Sequence, residues 1–370
     1  MTADSASKTI HGRIVSLDAL RGFDMFFIIG GASLIGRLLS LWESPLSNIL
    51  ERQLHHSEWH GFTHLDLIFP LFLFIVGTSI PVALARKIET GMSRKSLYLR
   101  IVRRTLILYF LGMIIEAGRI DALGGLRYTG VLHRIAFCYL ITSVIVLNSR
   151  IRTQAILTAG LLVMYWLAMS LIPVPGHGAG VMTPEGNLAS WIDRLYLPGA
   201  LRNDLYDNEG ILSTFPAVAT TLLGVLSGHW LMSPASKSRK ATGLGLSGLI
   251  CLALGLLWNT VFPINKLLWT SSYVLYAGGW SLLHLAVFYW LIDVRGYRKW
   301  AFPFVVIGMN SITVYFAGAV FDFGRIATIF LYEFNDLFGP ASSLIKITGV
   351  LAVKWLLLYY LYRRRIFLKA

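Results

Sequence analysis

Cysteine and charge are scarce in this chain. Two cysteines occur in 370 residues, Cys138 and Cys251. Both sit inside apolar runs, which argues against a disulfide framework or a cysteine-based metal centre. Charged residues make up 14% of the chain, against roughly 25% in a soluble domain. Acids are scarcer than bases, 19 against 33, so the formal charge is +14. Walker, Rossmann and Gly-x-Ser-x-Gly patterns do not occur, nor does an internal repeat that would support an inverted-repeat transporter. What is abundant is apolar: 55% of residues are hydrophobic and the mean hydropathy is +0.63. No soluble domain buries so much apolar surface, and disorder is excluded for the same reason. The composition is that of an all-α polytopic membrane protein.

A spanning helix needs about 20 mostly apolar residues. About ten transmembrane segments meet this, near 16–41, 64–85, 101–117, 128–147, 153–172, 211–232, 241–261, 267–292, 301–321 and 341–362. The stretch 323–338 is shorter and reads as a re-entrant or interfacial helix. Residues 1–12 are polar and the first apolar run carries Asp18, Arg21 and Asp24. That pattern reads as a retained first helix, not a cleaved signal peptide. The whole chain, 1–370, reads as one transmembrane domain with an N-terminal tail at 1–14 and a long loop at 173–210.

Lys and Arg fall unevenly across the loops of such a ten-helix arrangement. One side collects 21 of the 33, the other 7, and the remaining 5 lie within spans. The positive-inside bias then places both termini in the cytoplasm and the loops 42–63 and 173–210 outside. The basic excess is a topology signal and implies no nucleic-acid partner. The cytoplasmic loop from Arg86 to Arg104 holds seven bases, among them Arg100, Arg103 and Arg104, against one acid, Glu89. Topology and anionic lipid explain it; a cationic mouth for a phosphate-bearing cosubstrate would be an added role.

Polar groups inside apolar spans are costly and mark structure or function. Asp18 and Arg21, spaced i and i+3, can form a structural pair or line a cavity. The densest cluster runs from His55 through His56, Glu58, Trp59, His60 and His64 to Asp66, with four of the nine histidines in ten residues. His56, His60 and His64 would stack on one helix face and offer a zinc site, but Gly61 favours a break there, and no metal is expected. A single imidazole working as base, shuttle or nucleophile is the better use. Asp66 would orient it if the loop folds back, or would serve the helix macrodipole. Trp59 fits an interfacial belt. Arg134, near the outer end of the fourth span, would snorkel or bind an anion. Asp207 and Glu209 read as turn residues or as substrate acceptors. The intramembrane amides Asn265 and Asn310 require partners within the bundle.

At these residues the chain resembles the heparan-alpha-glucosaminide N-acetyltransferase family and its bacterial homologues. The matching stretches are Ser16–Gly22, His56–Thr63, Asp66–Gly77, Gly130–Ala136, Tyr206–Leu212, Ile264–Lys266 and Gly308–Ser311. The resemblance implies acetylation across a membrane, with acetyl-CoA donating from the cytoplasm and a glucosamine-type amine accepting outside. It places the catalytic histidine at His56 and suggests Asp66 as its orienting partner. Asn265 and Asn310, with Arg100, Arg103 and Arg104, become candidates for holding acetyl-CoA. Glu58, Trp59, Arg134, Asp207 and Glu209 become candidates for the acceptor. It also implies the lipid bilayer of a bacterial inner membrane as the location, a cell-wall or imported amino sugar as acceptor, and a possible homodimer. A proton-coupled amino-sugar transporter built from the same polar residues is the competing reading.

Overall fold

Serine, asparagine and proline decide where many of the helices begin. Ser44, Ser93, Asn187 and Ser236 each accept a hydrogen bond from the backbone N–H three residues on, at 3.1, 3.3, 2.8 and 3.4 Å. Each thereby satisfies a donor that the first helical turn would leave open. The computed structural model describes residues 14–42, 44–120, 124–331 and 342–367, with side chains for all but 330 and 331.

Fifteen α-helices follow in order: α1 Val15–Phe26, α2 Ala32–Leu39, α3 Pro45–Arg52, α4 His64–Glu89, α5 Arg94–Ala117, α6 Val131–Asn148, α7 Ile151–Leu171, α8 Leu188–Tyr196, α9 Thr214–Met232, α10 Lys237–Asn259, α11 Ser271–Tyr289, α12 Phe302–Met309, α13 Ser311–Val320, α14 Phe323–Leu331 and α15 Ser342–Arg363. π-helical turns join α1 to α2 at Phe27–Gly31 and extend α11 through Trp290–Val294. Among the described residues there is no strand, only isolated bridges such as Arg127 with Gly199. The all-α expectation therefore holds.

Each of the ten expected segments contains one or two of these helices. Among the described residues, eight helical spans are long and apolar enough to cross a membrane, or nine if α12 and α13, bent by 70° at Asn310, count as one broken span. The segment that falls short of the expected ten is 101–117. It forms the C-terminal part of α5, whose 24 residues also carry Arg94, Lys95, Arg100, Arg103, Arg104 and Glu116. Exposed apolar side chains on α10, such as Leu249 at 57% and Leu257 at 68%, suit a lipid-facing surface. The chain is thus a multi-pass membrane protein. Of the stretch 323–338, residues Phe323–Leu331 form α14 and the rest lies outside the described residues.

Two compact units divide the chain. The larger is built from Pro70–Val287 with Trp59–Gly61; the smaller comprises Val15–Glu58, Phe62–Phe69 and the chain from Phe288. In the larger unit, α4 crosses α9 through small residues. A Cβ on Gly77 would lie 1.9 Å from the Thr221 carbonyl oxygen, and one on Gly224 2.0 Å from that of Phe74. Close backbone approach of this kind is what holds helices together where lipid removes the hydrophobic drive. The 173–210 loop is folded rather than extended. It carries α8, and Val174, Leu188 and Ala189 pack with Tyr165, Met169, Phe262 and Leu268 into one apolar cluster.

In the smaller unit, α1 crosses α12 in the same manner. A Cβ on Gly22 would fall 1.7 Å from Phe304 O, and one on Gly308 1.9 Å from Asp18 O. The π turn after α1 bends at Gly30, whose φ of 134° is open to glycine alone in practice. Lys354 of α15 donates to the Ile29 carbonyl of that turn at 2.8 Å, supplying a partner where the helical ladder is interrupted.

Candidate functional site

Loop 53–63 is set against the start of α4 by Gln53. Its backbone oxygen accepts from Leu65 N and its side-chain oxygen from His64 N, both at 3.0 Å. This brings His56 and Ser57 onto the carboxylate of Asp66 in the first turn of α4. Asp66 Oδ1 lies 2.8 Å from His56 Nδ1. Asp66 Oδ2 accepts from Ser57 N at 3.1 Å, Ser57 Oγ at 2.8 Å and Thr63 N at 3.1 Å. The last contact reaches back three residues, as a capping box does. The Thr63 hydroxyl donates to the His55 carbonyl at 2.6 Å.

The chemistry follows from this arrangement. Asp66 is fully buried, whereas the His56 side chain is 56% exposed. A carboxylate on Nδ1 holds the proton there, which makes Nε2 the basic ring nitrogen. An oriented imidazole with a basic Nε2 is equipped to take a proton or to attack a carbonyl. The sequence expectation that the loop folds back and pairs Asp66 with a histidine is what the geometry contains. The stacking of His56, His60 and His64 on one helix face is not. Both His56 and His60 lie in the loop before α4, where Gly61 takes φ 121°. No group of three His, Cys, Asp or Glu side chains arranged for a metal occurs among the described residues, and both cysteines are free thiols. The His64 ring packs edge-on against Phe27, centroids 4.9 Å apart.

In the larger unit, Trp59, His60 and Gly61 dock on the segment between α10 and α11. Gly61 N donates to Ile264 O at 2.9 Å, and His60 Nδ1 lies 3.4 Å from the Asn265 amide. Partial burial lowers the pKa of His60. Trp59 donates its indole N–H to Met182 O at 2.8 Å, and its ring meets Tyr206 at 5.3 Å. The backbone polar groups of this buried segment, 262–270, are satisfied largely by side chains. Asn265 Oδ1 accepts from Leu268 N at 2.9 Å, Thr270 Oγ1 donates to Pro263 O at 2.9 Å, and Tyr165 donates to Leu268 O at 2.5 Å. Trp269 sits at φ 54°, a left-handed conformation unusual for a side-chain-bearing residue. Its indole N–H is held by Thr220 Oγ1 at 3.0 Å.

The same unit contains an ionic knot centred on Arg127. Arg127 Nε donates to Asp207 Oδ2 at 2.7 Å and Nη2 to Glu209 Oε2 at 2.6 Å, with Glu116 at 3.8 Å. Asp207 also accepts from Thr129 Oγ1, Arg202 N and Glu209 N at 2.9, 3.0 and 2.9 Å. Burial opposes the charge on Arg127, but the hydrogen bonds and charges of Asp207 and Glu209 prevail and raise its pKa. Burial likewise acts to raise Asp207, yet hydrogen bonding and attraction to Arg127 hold it below the usual carboxylate range. Asp207 and Glu209, expected to receive a substrate, are thus engaged in fastening the loop before α9. Nothing in the sequence singles out Arg127, which reads there as one base among several in the outer loops.

Arg134 is buried, not snorkelling. Its Nη2 donates to Ser213 Oγ and, at 3.4 Å, to Gly210 O, with the guanidinium 5.0 Å from the Trp269 ring centroid. Glu58 is exposed on the loop. Arg100 and Arg103 are exposed on α5, while Arg104 lies over the Tyr139 ring at 4.5 Å. In the smaller unit Asp18 and Arg21 pair at 3.6 Å. Asn310, at the break between α12 and α13, donates its amide to Ile366 O at 3.1 Å, which supplies the partner a buried amide requires.

A family model described as a domain of unknown function (DUF5009) matches residues 13–172. Heparan-alpha-glucosaminide N-acetyltransferases of Mus musculus and Homo sapiens are each 30% identical to the chain, over 374 and 371 residues and 85% of its length. The chain spans about half the length of these curated relatives, 56% and 55%.

Proposed function

Since the chain is a relative of the heparan-alpha-glucosaminide N-acetyltransferases over most of its length, we propose that it is a membrane-embedded N-acetyltransferase. The donor is acetyl-CoA at the cytoplasmic face, and the acceptor is the amine of a glucosamine-type sugar on the far side. The protein sits in a bacterial inner membrane, with both termini in the cytoplasm as the basic loops require. The observation that carries this reading is the His56–Asp66 pair, 2.8 Å apart.

Two routes use the same atom. In a direct transfer, His56 Nε2 removes a proton from the acceptor amine as its nitrogen attacks the thioester carbonyl; the C–S bond breaks and CoA leaves as thiolate, which is then protonated. In a relay, Nε2 itself attacks the carbonyl and expels the thiolate. The amine then attacks the acetylimidazole, the C–N bond to the ring breaks, and the amine's proton is released. Asp66 serves both by fixing the Nδ1–H tautomer and stabilising positive charge on the ring. Asn265 and Asn310 are candidates for contacts to acetyl-CoA, and Arg100, Arg103 and Arg104 for its phosphates. Glu58 and Trp59, two and three residues after His56 in the sequence, are candidates for the acceptor.

The test places the two substrates on opposite sides of a membrane. Protein reconstituted in vesicles, with labelled acetyl-CoA at the basic face and glucosamine at the other, should give N-acetylglucosamine only in the glucosamine compartment. Acetyl that never leaves CoA, with any amino sugar, would sink the reading. Glucosamine uptake down its gradient without acetyl-CoA would favour transport.

A further inference from the structure

Helix α3, which leads into the His56 loop, turns an apolar stripe outward. Leu46, Ile49 and Leu50, at i, i+3 and i+4, share one side of the helix and are 65%, 57% and 44% exposed. Asn48 and Arg52, spaced i and i+4, are exposed on a separate polar side, and Ser47 is buried. An apolar stripe beside a polar one is the pattern of a helix lying at a lipid surface. These residues and His56 all belong to the smaller unit.

The attachment of α3 puts it at the end of a membrane span. That span, Val15–Leu39, consists of α1, the π turn and α2. Trp42 N donates to Leu39 O at 3.1 Å, and Ser47 Oγ of α3 donates to Trp42 O at 2.5 Å. Beyond α3, Leu54 lies against α2, since a Cβ on Gly36 would stand 3.7 Å from Leu54 Cδ1. Both ends of α3 are thus tied to the end of the span, and the helix lies beside it instead of projecting from it. Trp42, 67% exposed, stands at the same junction, where an indole suits the boundary of lipid and water. Lipid is the occupant that takes a stripe at this level out of water. His56 follows Leu54 by two residues, a reach of about 7 Å at most. Gly36 lies three residues before the end of α2, roughly 4.5 Å along the axis. The imidazole is therefore held near the headgroup layer, which is about 5–8 Å deep on each side of a bilayer.

We propose that α3 rests in the lipid interface and that the acceptor is an amino sugar carried on a lipid, its amine presented to His56 at headgroup level. The choice of acceptor rests on the acetyl-transfer reading above; the place of α3 does not. A lipid-borne sugar is already confined to the layer in which His56 stands, whereas free glucosamine must be drawn from bulk water. The basic-residue bias puts this interface on the outer side.

Full-length protein in phospholipid vesicles tests this. A bimane label at Ile49→Cys, in a Cys251→Ala chain whose other cysteine, Cys138, is buried, should be quenched by doxyl-labelled lipid and not by iodide. The same label at Asn48→Cys should respond to iodide. In the transfer assay, KM for octyl glucosaminide should lie at least about tenfold below KM for glucosamine. Combining Leu46→Ser, Ile49→Ser and Leu50→Ser should bring that ratio toward one while kcat with glucosamine is kept. Iodide quenching of the Ile49→Cys label overturns the proposal, as does its protection from both quenchers, which a second copy of the chain would give. A wild-type ratio near one, or a ratio that survives in the triple variant, overturns it as well. If the triple variant does not fold, the single-cysteine labels still decide where α3 rests. A wild type that acetylates neither sugar defeats the transfer reading, and the acceptor class with it, while the labels report on α3 alone.

Discussion

His56 Nδ1 stands 2.8 Å from Asp66 Oδ1, and Asp66 Oδ2 is meanwhile held by Ser57 and Thr63. One buried carboxylate therefore joins the histidine to the start of α4 and leaves Nε2 as the basic ring nitrogen. Asp66→Asn keeps the shape but sets an amide against donors where acceptors are needed. Its kcat for acetyl transfer should fall about 10³–10⁴-fold through loss of the correct tautomer. The loop should also be destabilised, by about 1–3 kcal/mol per donor left unpaired. Steady-state kinetics with a parallel melting curve separates the two effects. A variant of wild-type kcat would show that Asp66 acts only as a helix cap.

The Arg127 knot should be a stability element of the larger unit. Arg127→Met leaves Asp207 and Glu209 buried without their cation, a change that costs about 3–5 kcal/mol. Thermal unfolding of purified protein in detergent should register it. A melting point equal to wild type would show that the knot is not needed for stability.

Asp193 gives the fold a pH dependence. Burial pushes its carboxyl up to about 7, against the opposing pull of the Ile211 N–H and of Arg134. A carboxyl raised in the folded state contributes stability at pH values below its unfolded value near 3.8, and loses that contribution as pH climbs through about 7. Asp193→Asn keeps an acceptor for Ile211 and removes the titration. Relative to wild type it should gain stability as pH rises from about 4 to about 7 and level off above that, by up to about 1.4 kcal/mol per pH unit within the window. Melting curves across the range should show the difference growing with pH; a constant difference would contradict the assignment.

Gly22 and Gly308 should not tolerate a methyl group. A Cβ at either would meet backbone oxygen at 1.7 or 1.9 Å, forcing α1 and α12 apart. Each alanine substitution should cost about 1–3 kcal/mol or more. Gly160 in α7, where a Cβ would meet nothing within 4 Å, is the control and should accept alanine without loss. Equal melting points for all three variants would show that the close crossing contributes nothing to stability.

Much of this fold is legible as apolar runs, because a membrane span must satisfy its backbone internally and declares itself by length and composition. The His56–Asp66 pair is legible too, since a loop leading into a helix brings residues ten apart into reach. Arg127 is not, because a lone base in a short loop carries no mark of the three acids that the 116 and 207–209 segments bring to it. Nor is the burial of Arg134: position near a span end suggests snorkelling, and only packing against Trp269 and Ser213 decides otherwise. The left-handed Trp269 and the bend at Asn310 likewise depend on tertiary partners. The α5 segment shows the converse, a helix whose apolar half suggests a full span while its basic half contradicts the composition of one.

The central claim is that His56 carries the acetyl transfer. Labelled acetyl-CoA and an amino sugar, incubated with wild type and with His56→Ala of matched melting behaviour, test it directly. Wild type should form the N-acetyl sugar, and the variant should lose about 10³-fold or more of that rate. A His56→Ala protein that acetylates the sugar at the wild-type rate would contradict the claim.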